Sequence, residues 1–324
     1  MRLLVTGGAG YIGSVTTAVL LAAGHEVTVL DDLSTGHADA VPPGARFVQA
    51  SITDASSTLA TGFDGVVHFA AKSLVGESAS SPELYWHNNV LGSLALLDAM
   101  RAQAVPRIVF SSTAATYGEP ADMPITEATP VRPTSPYGAS KLAVDMMLSS
   151  YAKAYGLAAV SLRYFNVAGS YEGFGERHRT ETHLVPNALL AADGGPPLQI
   201  FGRDYPTLDG TAIRDYIHVR DLADAHVRAL SRVVPANHAI FNLGTGTGTS
   251  VLEIIDTVAR ITGREVATLD RPRRAGDPAR LVADGRLAHR ELGWRPSRSV
   301  SEMVSDAWEF HQGRAGTSDS RCPH

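Results

Sequence analysis

The sequence predicts an α/β protein, a doubly wound parallel sheet with a smaller α+β lobe on its C-terminal side. Three observations carry this. Short, almost wholly apolar β-rich runs alternate with longer helical runs through the first third; a glycine-rich turn joins the first strand to the first helix; and the texture changes after Arg163. Strand and helix in strict alternation build parallel sheets covered on both faces, which is why the strands read as continuous apolar runs.

Taken in order, the strands are LLVTG (3–7), EVTVLD (26–31), ARFVQA (45–50), GVVHFA (65–70) and RIVFSS (107–112). Between them Tyr11 to Ala23, Pro82 to Gln103 and Pro136 to Tyr155 carry apolar residues at helical spacing. AVSLRY (159–164) adds a further strand, and IRDYIHV (213–219) reads as a later return of the chain to the main sheet. GTGTGTS (244–250) opens a helix at Val251; without the lysine of a P-loop it is expected to be a strand-turn-helix junction beside the cleft. The expected division is a doubly wound α/β domain over 1–165 with returns near 213–242, a partly interleaved second lobe over 166–310, and a flexible polar tail over 311–324.

Length and composition agree. At roughly 150 residues per domain, 324 residues make about two domains, or one large domain with an appendage. With 44% apolar and 19% charged residues the chain is not of disordered composition. A net charge of −5 leaves no global basic field for nucleic acid or anionic lipid, so neither partner is expected. The single Cys322 excludes an intrachain disulfide and a cysteine-rich metal site. The apolar stretch Leu3 to Val5 is too brief for a signal-peptide core, and no run approaches the ~20 apolar residues of a membrane span. A soluble, cytoplasmic protein is expected. The twelve histidines form no His-Glu-x-x-His helix and no carboxylate cluster at ligand spacing; no metal site is expected, and His178 and His183 read as loop and pocket residues.

Chemistry enters with VTGGAGYIG, Val5 to Gly13, at the end of the first strand. Gly7, Gly10 and Gly13 suit a tight turn, close backbone approach to a pyrophosphate, and helix packed on strand, with the helix N-terminus favouring phosphate charge. Eighteen residues past Gly13 the second strand ends in Asp31, placed to accept hydrogen bonds from ribose hydroxyls and to repel a 2′-phosphate, which favours NAD over NADP. Tyr137 and Lys141 stand one helical turn apart after Pro136, and an ammonium beside a phenol lowers its pKa towards working pH, making it a usable base. Ser111, Ser112 and Thr113 follow a strand whose C-terminal end opens on the same crevice, so a hydroxyl there can complete a proton path to Tyr137.

The segments TGGAGYIG (6–13), HFAAKSLVGES (68–78), FSSTAATYG (110–118), SPYGASK (135–141) and RYFNVAG (163–169), with Asp31, resemble the extended short-chain dehydrogenase/reductase superfamily. Within it the chain is most similar to the UDP-glucose 4-epimerase family. That similarity continues through ETHLVPNAL (181–189), IFGRDYPTLDGTAIRDYIHVRDLADAH (200–226), FNLGTG (241–246) and RPRRAGDPARLVAD (271–284), roughly 1–310 in all.

The resemblance implies a Rossmann domain holding NAD and interconversion of UDP-galactose and UDP-glucose through a 4-keto sugar. Tyr137 would be the base, Lys141 would hold the nicotinamide ribose and depress the Tyr137 pKa, and Thr113 would be the catalytic hydroxyl. Tyr11 and Ile12 would cover the NAD diphosphate; Asp31, Asp32, Leu33 and Ser34 would surround the adenosine ribose; Ser51 and Ile52 would face the adenine. Phe69, Ala70, Ala71, Lys72, Asn89 and Phe165 would line the rest of the cofactor. For the sugar nucleotide the resemblance implies Asn166, His183 and Leu184 at the diphosphate and uridine, Gln199 and Phe201 at the uracil, and Arg214, Arg274 and Asp277 at phosphate and ribose. It also implies a homodimer formed by the helices at 89–100 and 142–148.

Three positions depart from the family pattern. Ser51 replaces an acidic adenine contact, His183 stands where some members carry Asn, and Leu281 occupies the position that gates sugar bulk. The alternatives are a 4-epimerase of N-acetylhexosamine or pentose nucleotides and a non-catalytic NAD-binding scaffold. A 4,6-dehydratase is disfavoured, because Ala114 and Ala115 stand where that class carries Asp-Glu.

Overall fold

The computed structural model describes residues 1–274 and 276–318. In the first half, β1 (Arg2–Thr6), α1 (Tyr11–Ala22), β2 (Glu26–Asp31), β3 (Arg46–Gln49), α2 (Ala55–Leu59) and β4 (Gly65–His68) follow one another. Next come α3 (Val75–Ser80), α4 (Pro82–Tyr85), a π-helical stretch over Trp86–Leu91, α5 (Gly92–Ala102), β5 (Arg107–Thr113), α6 (Pro136–Tyr155) and β6 (Ala158–Tyr164). The second half holds β7 (Asn166–Ala168), the hairpin β8 (Ser170–Tyr171) and β9 (Phe174–Gly175), α7 (Leu184–Ala192), β10 (Leu198–Phe201) and β11 (Ile213–His218). It continues with α8 (Val219–Arg232), β12 (His238–Leu243), β13 (Gly248–Ser250), α9 (Val251–Thr262), β14 (Thr268–Arg271), β15 (Arg280–Leu281), α10 (Arg286–Leu292) and α11 (Val300–Ser318).

Seven parallel strands form the main sheet in the order β12-β6-β5-β4-β1-β2-β3. The chain winds outward from β1 to β3, then from β4 in the opposite direction, so the strand order reverses between β1 and β4. In doubly wound sheets a ligand crevice opens at that reversal, beyond the carboxyl ends of the strands. Alternation along β1 explains the double cover: Leu3 and Val5 pack with Leu20, Val29, Leu222 and Trp294 on one face, while Leu4 packs with Leu30, Leu97, Phe110 and Leu148 on the other.

Two expectations need correction. IRDYIHV does not return to the main sheet: β11 pairs with β7 and β15 in parallel and with β13 in antiparallel, and the strand that rejoins the main sheet is β12, beside β6. The reason is visible in Asp215, whose buried carboxylate accepts from the backbone N–H groups of Thr245, Gly246 and Ala283 and so anchors β11 to the second lobe. The other concerns the first part of the expected tail: residues 311–318 continue α11, and His311 Nε2 lies 2.9 Å from Asp193 Oδ2, whereas Cys322 and its neighbours lie outside the described residues. Among the described residues no helix is long and apolar enough to cross a membrane.

Candidate active site

The glycine turn is dictated by close approach. Gly7 has φ +73°, and a Cβ there would lie 2.5 Å from the Ala70 nitrogen; one at Gly13 would lie 2.2 Å from the Gly7 carbonyl oxygen. No larger residue fits either position without moving backbone. Gly10 caps α1 in extended conformation with no side-chain hydrogen bond, which leaves the helix dipole and its first N–H groups to an anion. Tyr11 Oη donates to the Gly169 carbonyl at 2.6 Å, and Ile12 packs into the core beneath.

Asp31 is fixed beside this turn. Its Oδ2 accepts from Ala9 N at 3.0 Å and its Oδ1 from Leu33 N at 2.8 Å; burial raises its pKa and these backbone bonds oppose the rise. Leu33 takes a left-handed φ of 61°, and Asp32 Oδ1 accepts from Ser34 N at 2.8 Å. A buried carboxylate at a strand end next to a glycine turn fits the adenosine half of NAD. Ser51, by contrast, is occupied with local structure: its hydroxyl accepts from Thr53 N and Thr53 Oγ1 and caps the turn after β3. Ile52 is buried in the core.

Across the crevice, Phe69 N donates to the Thr6 carbonyl at 2.8 Å, binding the loop after β4 to β1, with Ala70 against the glycine turn and Ala71 half-buried beyond it. Asn89 clasps the next residue from the π-helical stretch: its Oδ1 accepts from Lys72 N and its Nδ2 donates to the Lys72 carbonyl and to Ser140 Oγ. At 1% exposure its amide is spent on shaping this loop, so it acts on the crevice through Lys72. Phe165 is half-buried between β6 and β7.

Helix α6 delivers the reactive groups, and its limits are set locally. Ser135 Oγ accepts from Gly138 N, Pro136 occupies the first turn, and Gly156 ends the helix at φ 75°. Thr113, the last residue of β5, accepts from Ala115 N at 3.1 Å. Burial raises the Tyr137 pKa, and a hydrogen bond with Thr113 draws it back. The Tyr85 ring meets Tyr137 edge-on at 6.3 Å. Lys141 is buried; Nζ donates to the Ser111 carbonyl at 2.7 Å, and burial pulls its pKa down to about 7 against the attraction of Asp145. Burial and Thr113 are thus the opposed influences on Tyr137 here, while the Lys141 ammonium, one turn along the same helix, is anchored on the β5 backbone.

The second lobe holds a cavity of about 450 Å³. Asn166, His183, Leu184, Gln199, Phe201, Arg214, Arg274 and Asp277 all line it. The Arg274 guanidinium lies 3.7 Å from the centre of the Phe201 ring, and Arg214 forms an ion pair with Asp277. An aromatic face with two guanidinium groups suits a base and a diphosphate. Leu281 is opposite Arg214 in the β11–β15 pair and, like Thr113, lies outside the lining.

Residues 3–244 match the model of the NAD dependent epimerase/dehydratase family. The chain belongs to that family. A UDP-glucose 4-epimerase of Corynebacterium glutamicum is 54% identical over 314 residues, 96% of this chain and 95% of that protein. The crystal structure of UDP-glucose 4-epimerase from Brucella ovis in complex with NAD is similar at a TM-score of 0.92 and 45% identity, covering 95% of this chain and 97% of its own. The structure of UDP-glucose 4-epimerase from Stenotrophomonas maltophila with bound NAD and formylated UDP-arabinopyranose reaches 0.94 at 40% identity, with 98% and 99% covered.

Two features of this epimerase/dehydratase family member escaped the sequence. Asp145, one turn beyond Lys141, accepts from Arg163 Nε and Nη2 at 3.1 and 2.8 Å and from Ser112 Oγ at 3.2 Å. The four-residue ladder Tyr137, Lys141, Asp145 was its signal. The other feature overturns the expected lack of a carboxylate–histidine cluster. Glu176, His178, Glu181 and His183 converge, with His183 Nδ1 2.6 Å from Glu176 Oε1 and 3.1 Å from Glu181 Oε1. Burial opposes charge on both imidazoles, yet the two carboxylates hold His183 up at about 10 and His178 at about 9.

Proposed function

We propose that this chain is an NAD-dependent UDP-glucose 4-epimerase, an isomerase that interconverts UDP-galactose and UDP-glucose through a 4-keto sugar. The observation that carries the reading is the meeting of Thr113, Tyr137 and Lys141 beside a glycine turn and Asp31 suited to NAD. Bound at that turn, NAD supplies hydride acceptance and return at sugar carbon 4. Tyr137 Oη takes the proton of the 4-hydroxyl and later returns it, Thr113 holds that phenol by its hydroxyl, and Lys141 supplies a buried ammonium at the β5 end of the crevice. Arg214 and Arg274 hold the diphosphate while Gln199 and Phe201 flank the uracil, so the sugar turns about a fixed anchor and presents its other face. Asn166, His183, Leu184 and Asp277 complete that pocket.

N-acetylhexosamine or pentose nucleotides form the second reading, with Leu281, opposite Arg214 in the β11–β15 pair, at the position expected to gate sugar bulk. A panel of UDP-sugars incubated with the protein decides among these. Conversion of UDP-galactose is expected, and turnover of none would leave an NAD-binding scaffold. Tyr137→Phe is expected to keep bound NAD and to lose about 10²- to 10⁴-fold in kcat; retention of more than a tenth of the activity would remove Tyr137 from its role. We further propose a cytoplasmic location and a homodimer, the latter supported by exposed apolar residues on α4, the π-helical stretch and α6.

A further inference from the structure

The segment between β9 and α7 carries Glu176, His178, Glu181 and His183, an alternation of acid and histidine that the epimerase reaction leaves unused as a set. We propose that these four side chains form a site for one divalent transition metal ion, zinc before others, which clasps this segment between the dinucleotide crevice and the sugar-nucleotide pocket.

The geometry is that of a coordination shell. Each residue offers one donor atom, and all four atoms lie within 4.8 Å of one another. Tetrahedral zinc with bonds of about 2.0–2.2 Å sets its donors about 3.4 Å apart. Here His183 Nδ1 lies 2.6 and 3.1 Å from oxygens of Glu176 and Glu181, and His178 Nδ1 lies 3.0 and 3.6 Å from oxygens of the same two residues. A second observation points to a shared centre. His178 Nδ1 is buried and, although close to both carboxylates, has hydrogen-bond geometry with neither. Two carboxylates and two imidazoles are a donor set zinc accepts, the imidazoles giving up their protons as the metal binds. Four protein donors close the shell, so the ion is structural.

Its position gives it work to do. Between the ligands, the Arg177 carbonyl accepts from His37 Nε2 at 2.8 Å and the Arg177 guanidinium pairs with Asp39, both in the stretch that follows β2. On the other side His183 caps α7, and Glu181, His183 and Leu184 line the sugar-nucleotide pocket. A metal ion here ties the two ligand sites together whichever sugar is turned over.

The test is metal content. Untagged full-length protein, exposed to zinc chloride and dialysed against metal-free buffer, is expected to retain about one zinc per chain by mass spectrometry. Glu176→Gln and His178→Gln are each expected to lose at least tenfold in zinc retained, while Cys322 and His324 remain in both variants as a control for adventitious binding. Wild-type protein holding less than about a tenth of an equivalent, or variants holding as much as wild type, would overturn the site in favour of an ion-pair quartet. Cobalt(II) titration of the unchanged protein keeps the proposal testable should the variants misfold. Intense tetrahedral absorption saturating near one equivalent supports it, and only the weak bands of octahedral cobalt would sink it.

Discussion

At Tyr137 the protein works against its own solvent exclusion. Burial raises the phenol pKa, while the working base is the phenolate, so turnover is expected to climb as pH rises through the tyrosine's range. The hydrogen bond from Thr113 is the counterweight, since it favours the charged form. Thr113→Val removes a lowering influence, so the rising limb of the pH–rate profile should move to more alkaline pH, with kcat at neutral pH falling about tenfold for each ~1.4 kcal/mol of phenolate stabilisation lost. An unchanged limb position would show that Thr113 serves only as a β5 cap. Lys141 Nζ is fixed at the same end of β5 by its hydrogen bond to the Ser111 carbonyl at 2.7 Å.

At the level of elements, α6 is both the most legible part of the sequence and the most heavily used. Its limits, Pro136 and Tyr155, follow from Ser135, Pro136 and Gly156, and its four-residue ladder places Tyr137 and Lys141 on β5 and Asp145 on Arg163. The Asp145–Arg163 pair is 2.8 Å apart and nearly solvent-free, so Asp145→Asn leaves a guanidinium buried without its counter-charge. Removal of one partner of a buried ion pair costs about 3–5 kcal/mol, and urea unfolding should show a loss of that order. A loss below about 1 kcal/mol would mean that the Tyr117 ring, 5.0 Å from Arg163, carries the cation instead. What the sequence did not disclose has physical causes. The residues of β11 read as a strand, but which sheet they join depends on Asp215 meeting N–H groups some thirty and sixty-eight residues away. Glu176, His178, Glu181 and His183 follow no helical or strand period, because loop backbone brings them together. Asn89 is read as a cofactor contact from its motif alone, whereas its hydrogen bonds go to Lys72 and Ser140.

On the scale of the whole molecule, the crevice side of the main sheet is occupied with ligand chemistry, and one flank carries a different kind of surface. Leu84, Trp86 and Leu91, along α4 and the π-helical stretch, and Met146 on α6 are exposed at 39, 42, 52 and 64%, on elements that pack against one another. Apolar side chains grouped on adjacent helices are what the proposed association would cover. Two helices that meet their copies across a two-fold axis make a closed, self-complementary four-helix contact, which argues for a homodimer rather than an open chain of subunits. Trp86→Glu combined with Met146→Glu sets four carboxylates into that contact and should convert the dimer to monomer in sedimentation at micromolar concentration, with most of the turnover per chain kept. If the unsubstituted protein sediments as a monomer at that concentration, the apolar flank has another purpose; if the double variant remains dimeric, the two-fold contact lies elsewhere on the molecule.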